Sequence, residues 1–138
     1  MNALKTYLYY TTEEFFMFEE QRQWPRLDCH LDITIKPGIG ATDLEGATPL
    51  GALLGIPVVS KNFSPFGLCI KSSQRSLRKK DRLYLTIDMP TEAHPIELES
   101  EVIWNSGDEI GVRFIKLQAL DEMRLKKCFQ FFRDVCML

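Results

Sequence analysis

Ile96-Glu97-Leu98-Glu99-Ser100-Glu101-Val102-Ile103-Trp104, followed by Asn105-Ser106-Gly107-Asp108 and then Glu109-Ile110-Gly111-Val112-Arg113-Phe114, is the stretch that decides the fold. Ile96, Leu98, Val102 and Trp104 fall on one side, Glu97, Glu99 and Glu101 on the other. This is the period-two alternation of a half-buried strand. By that alternation Trp104 belongs to the core, and the glutamates form a solvated face. Asn105–Asp108 is a turn cluster between strands, and Ile110, Val112 and Phe114 carry the alternation into a second strand.

The same period extends outward. Residues 82–88 set Leu83, Leu85 and Ile87 against Tyr84 and Thr86, and Leu27, Cys29, Leu31, Ile33 and Ile35 alternate with Asp28, His30, Asp32 and Thr34. Ile56 to Lys61 and Gly67 to Ser72 read as two more strands, the second with Leu68 and Ile70 on one face. Residues 37–55, rich in Gly, Ala, Thr and Pro, read as a long loop. Beyond residue 116 the spacing becomes helical through Leu117, Leu120, Arg124, Lys127, Cys128, Phe131, Phe132 and Val135, an amphipathic helix. Its aromatic surplus at Phe129, Phe131 and Phe132 calls for burial either on its own barrel or at a homodimer contact. Near the N-terminus, Thr11 to Glu14 is a capping box, with Tyr10 and Phe15 at the staple positions of a short helix running into residues 20–23. Pro25 disfavours helical geometry at Trp24. Six strands and a terminal helix imply a mainly β protein, a six-stranded antiparallel barrel whose closure removes exposed edges.

The bulk composition narrows the function classes. The 138 residues, 45% hydrophobic and 26% charged, suit one soluble globular domain with a real core. No apolar run is long enough to span a bilayer, and the first residues lack a secretory layout. The expectation is therefore a cytoplasmic protein without membrane insertion. Cys29, Cys69, Cys128 and Cys136 are widely spaced and suit free thiols in a reducing compartment, the first three as small buried hydrophobes. His30 and His94 are neither paired nor near a cysteine pair, so no metal or cofactor is expected. The net charge of −2 argues against a DNA or RNA coat. Lys71, Arg75, Arg78, Lys79, Lys80 and Arg82 read as a solvated loop. With no GxSxG, no Cys–His pair and no phosphate-cradling glycine loop before a helix, the chain reads as a non-enzyme.

Two short motifs point to a ligand. Arg22-Gln23-Trp24-Pro25-Arg26 is RxxxR on an extended linker, and Asn62-Phe63-Ser64-Pro65-Phe66-Gly67 is NxSxxG at a strand turn. Arginine forks onto the O6/N7 edge of guanine or onto phosphate oxygens. Two arginines facing small polar side chains and a glycine suit a guanine nucleotide. Taken singly, each motif has a plainer reading. The arginines can pair with Glu19, Glu20 or Asp28, Asn62 and Ser64 favour turns, and Gly67 can answer to a positive φ. Trp24 can stack on a base or bury against the barrel.

In this order and strand context, and with Glu101-Val102-Ile103-Trp104 and Ile110-Gly111-Val112-Arg113-Phe114, the chain resembles a PilZ domain, a bacterial cyclic di-GMP receptor. The resemblance runs from Gln21 to Phe132. It implies a PilZ-like barrel domain over 21–138 preceded by an extension, 1–20. It also implies cyclic di-GMP as ligand, with Arg22 and Arg26 on guanine and phosphate, and Asn62 and Ser64 bonding a guanine or nearby phosphate. Gly67 would let the backbone turn so that a base lies against the barrel. Gln23 stands where the family often has another arginine, Asn62 replaces the commoner aspartate, and the 37–55 loop lengthens the spacing between motifs. The implied function is a signalling receptor that changes conformation on binding cyclic di-GMP to regulate a downstream effector protein. The alternatives are a PilZ-like adaptor that binds no nucleotide and a small barrel that binds single-stranded nucleic acid, the latter disfavoured by the net charge.

Overall fold

The computed structural model describes residues 24–38, Leu44 and 54–136. The strands are β1 (Leu27–Asp28), β2 (Asp32–Pro37), β3 (Ile56–Ser64), β4 (Gly67–Lys71), β5 (Arg82–Ile87), β6 (Ile96–Asn105) and β7 (Glu109–Ile115), followed by helix α1 (Ala119–Cys136). Every pairing is antiparallel, and β2-β5-β6-β7-β4-β3 closes on β2 as a six-stranded barrel, with short β1 added alongside β3. The expected barrel is present, but its first strand is broken in two.

That break has a local cause. β3 carries an extra residue at Lys61, since Ser60 faces Ile70 while Asn62 faces Cys69. Across from it, residues 29–31 lose regular pairing, and the buried Ser60 hydroxyl takes over. It accepts from Leu31 N at 2.7 Å and donates to the Cys29 carbonyl at 2.7 Å. Buried backbone groups need such partners.

The barrel interior follows the alternation. Ile33, Ile35, Phe63, Leu68, Ile70, Leu83, Leu85, Ile87, Ile96, Leu98, Val102, Ile110, Val112 and Phe114 are all buried. The β6–β7 turn is also as expected. Gly107, at φ +100°, donates its N–H to Asn105 Oδ1 at 2.9 Å. The Asn105 amide in turn donates to the carbonyls of Gln74 and Leu77, both at 2.9 Å, fastening the loop after β4. On that loop Arg75, Arg78, Lys79 and Lys80 are exposed, the solvated arrangement expected of the basic cluster. Cys29, Cys69 and Cys128 are buried, and burial pushes the Cys128 thiol up to about 11.

Two expectations are corrected. Trp104 is not core but 40% exposed. β6 carries an extra residue at Ile103, so Val102 faces Val112 while Trp104 faces Gly111, and the inserted residue turns the indole outward. The buried stripe of α1 is also rotated from the expected one. Leu125, Cys128 and Phe129 are buried and Phe132 packs against them, whereas Leu120, Phe131 and Val135 are exposed. Phe129 sets that rotation by packing on Phe63 of the barrel, with ring centroids 6.4 Å apart. Its burial is therefore on its own chain.

The short N-terminal helix, Arg22 and most of the 37–55 loop lie outside the described residues. Among the described residues no helix is long and apolar enough to cross a membrane.

Candidate functional site

Register defines two outward rows across the barrel wall. Asp28, Asn62, Cys69, Gly111 and Trp104 form one, running over β1, β3, β4, β7 and β6. Ser64, Gly67, Arg113, Glu101 and Arg82 form the other. Side chains alternate strictly along a strand, so Asn62 would share the inward side of Ser60, and Trp104 that of Val102. The extra residues at Lys61 and Ile103 reverse both. Each bulge re-aims one polar or aromatic side chain onto the same external wall.

Arg26 comes to this wall from the linker before β1. Its Nη1 donates to Asn62 Oδ1 at a long 3.4 Å. A Cβ at Gly67 would stand 3.4 Å from Arg26 Nη2 and 2.4 Å from the Val112 carbonyl oxygen. Among the described residues the positive-φ glycines are Gly55 and Gly107, and Gly67 is not one of them. It is required here for close approach, not for an unusual backbone angle. Ser64 is 6% exposed, and its hydroxyl accepts from Phe66 N at 3.3 Å and donates to the Gly67 carbonyl at 3.4 Å. That hydroxyl ties the β3–β4 turn and is not displayed on the wall.

Charge is distributed around this floor. Burial pulls the Arg26 guanidinium down from its ordinary value, with Cys69 acting weakly the other way; arginine remains cationic regardless. Burial pushes the Cys69 thiol up, reinforced by Glu109, whose Oε2 accepts from Cys69 Sγ at 3.7 Å. Lys61 Nζ donates to both Glu109 oxygens, at 3.0 and 3.3 Å, which raises Lys61 and lowers Glu109. Arg113 lies 3.5 Å from Glu101.

Trp24, inside the first motif, is half-buried and meets Phe129 of α1 edge-on, with centroids 5.2 Å apart at 78°. Of its two readings, packing is the one observed. Trp104 was missed as a surface group because alternation assigned it to the core. Its indole lies across Gly111, where a Cβ would collide with the ring at 2.2 Å. A glycine inside a strand marks such an approach, and that was the available signal.

Two clefts of about 510 and 530 Å³ lie elsewhere. One is lined by His30, Asp88, Met89, His94 and Phe132, the other by Lys36, Tyr84, Glu97, Lys116 and Asp121. Arg26, Asn62 and Gly67 of the motifs instead meet on the barrel wall beside Cys69, Gly111 and Trp104, with Gly67, Cys69 and Gly111 buried at its base.

The sequence profile of the PilZ domain matches residues 20–131, most of the chain and all of this wall. The chain belongs to the PilZ domain family. Solved structures agree on the PilZ fold. The inhibitor of motility MotI (DgrA) from Bacillus subtilis superposes with a TM-score of 0.58 at 24% identity, covering 82% of this chain and 52% of that one. The PilZ domain of CeSA from a cellulose-synthesising bacterium gives 0.58 at 12% identity, over 78% and 97%. The PilZ domain of YcgR from Escherichia coli, solved with c-di-GMP, gives 0.54 at 11% identity, over 83% and 94%. The chain spans about half the length of MotI. No curated protein matches it in sequence.

Proposed function

We propose that this PilZ domain is a cytoplasmic receptor for cyclic di-GMP that regulates an effector protein and catalyses no reaction itself. The observation that carries the reading is the pair of bulges, which brings Asn62 and Trp104 onto the wall where Arg26 rests. Gly67 lets the Arg26 guanidinium lie close against the β4–β7 backbone, beside Asn62. A guanine there exchanges the long Arg26–Asn62 contact for a fork onto its O6/N7 edge, with roughly 1–3 kcal/mol of base discrimination. The exposed indole of Trp104 offers a stacking face. Asn62 supplies both an acceptor and a donor, and Ser64 acts by holding the turn that sets Gly67 in place. Arg22, four residues before Arg26, is the second cation of this reading. The c-di-GMP held by the YcgR PilZ domain supports the choice of ligand.

Calorimetry with cyclic di-GMP, and GTP as control, tests the proposal on wild type, Arg22→Ala and Arg26→Ala. Each substitution is expected to weaken binding by about tenfold or more, from the loss of a forked contact. Undiminished affinity in both variants would end the reading.

A further inference from the structure

We infer that Lys126 of α1 is a further cation of the ligand site, placed to contact a phosphate of cyclic di-GMP; this rests on the function proposed above. Lys126 Nζ lies 5.5 Å from the Trp24 ring centroid and 5.7 Å from that of Phe66. Trp24 stands between the two arginines of the first motif, and Phe66 between Ser64 and Gly67 of the second. One ammonium from the far end of the chain therefore sits between an aromatic ring of each motif. Gly67, the residue next to Phe66, is also where the Arg26 guanidinium rests. Phe129, three residues along α1, is fully buried and packs on Trp24, so a core contact holds Lys126 at this place.

The plainer account makes Lys126 a surface lysine paired with Glu122 one helical turn away. That pair is short, 2.8 Å, but its side chains are 35% and 40% exposed. Such pairs stabilise a helix by only a few tenths of a kcal/mol, about 0.2–0.5, so the carboxylate is easily exchanged for a better anion. Two ring faces already replace part of the ammonium's water. A cyclic dinucleotide carries two phosphates, and other cations of this region are engaged: Arg113 with Glu101 and Lys61 with Glu109. Lys126, like Arg26, is a cation placed against residues of both motifs.

The two accounts predict opposite behaviour for Glu122. A carboxylate 2.8 Å from a phosphate-binding ammonium repels the ligand and competes for the cation, so its removal should tighten binding. If Lys126 merely braces the helix, its removal should not.

The experiment is calorimetry with cyclic di-GMP on the full chain, comparing wild type, Lys126→Met, Lys126→Arg, Glu122→Gln and Arg26→Ala. Titrations at about 50 and about 300 mM salt span roughly a 2.4-fold change in Debye length. Methionine keeps the stem over Trp24 and Phe66, and circular dichroism melts verify folding. Lys126→Met is expected to weaken binding about 3–10-fold with a shallower salt dependence, as one charge-assisted contact is lost. Lys126→Arg should stay within about twofold, and Glu122→Gln should tighten binding about 2–3-fold. Wild-type affinity in Lys126→Met, with affinity lost in Arg26→Ala, would overturn the role of Lys126 and leave the receptor reading standing. Weaker or unchanged binding in Glu122→Gln would likewise reduce Lys126 to a brace. No binding by wild type would overturn the receptor reading and this inference with it, and affinity undiminished in Arg26→Ala would overturn this inference by removing the ligand from the wall that Lys126 adjoins.

Discussion

Gly67→Ala tests the close approach at the centre of the wall. The new Cβ would stand 2.4 Å from the Val112 carbonyl oxygen and 3.2 Å from Arg113 Cα, both backbone atoms of β7 that no rotamer change can move. An ordinary contact requires β4 and β7 to part by about 1 Å. The adjoining Phe114 N–H to Phe66 carbonyl bond, 2.8 Å long, would then stretch beyond useful length. Overpacking costs about 1–3 kcal/mol and a lost bond about 1 kcal/mol. The expected destabilisation is about 2–4 kcal/mol, a melting temperature lower by about 8–15 °C for a chain of this size. Urea unfolding with an unchanged slope would measure it. Gly107→Ala is the control: its φ is +100°, but the nearest atom to an added Cβ is 4.0 Å away, so only about 1 kcal/mol of backbone strain is expected. Gly67→Asn separates the mechanisms, because asparagine tolerates positive φ but is bulkier than alanine. Close approach requires asparagine to be worse than alanine at this position. A Gly67→Ala protein as stable as Gly107→Ala, or an asparagine variant milder than alanine, would refute the reasoning.

Three further outcomes are expected. Ser60→Ala strands the Leu31 N–H and the Cys29 carbonyl at a fully buried site and should cost about 2–4 kcal/mol in chemical denaturation; a loss under about 1 kcal/mol would contradict the bridging role. Trp104→Ala, at an exposed position, should change stability by no more than about 1 kcal/mol. It should weaken cyclic di-GMP binding by the worth of one base stack, about 1–3 kcal/mol, and calorimetry reporting wild-type affinity would remove the indole from the site. The Cys128 thiol, raised by burial from 9.0 to about 11, keeps its proton in the folded state while the unfolded chain releases it. Its contribution is complete below pH 9 and falls away as pH rises to about 11, by roughly 3 kcal/mol. Cys128→Ala should flatten the stability–pH curve over that interval, and parallel curves for the two proteins would refute the assignment.

Much of the barrel was legible because a closed sheet with one wet face imposes period two on every strand. β5, β7 and the first part of β6 obey it residue by residue, and Asn105 to Asp108 carry their own turn chemistry. The bulges were not legible. Lys61 and Ile103 are ordinary strand residues, and an insertion leaves no mark in composition. Alternation therefore misassigned Trp104 while giving no reason for Asn62 to point outward. The face of α1 was ambiguous for another reason: Leu120, Phe131 and Val135 are as apolar as the residues it buries, and periodicity alone cannot choose among competing stripes. Phe63 and Trp24, distant in sequence, make the choice through Phe129. Of the expected site, Arg26, Asn62 and Gly67 come together, Ser64 supports them from within the turn, and Arg22 lies outside the described residues.

The two inserted residues also bear on how such a surface could arise or vanish. One residue inserted in β7 between Gly111 and Val112, opposite Ile103, would cancel the bulge and swing the indole to the inward side of Val102, with every letter of both motifs intact. Chains that look identical by signature could then differ in whether they grip anything, and gain or loss of sensitivity would take one insertion event, with no substitution at a contact position.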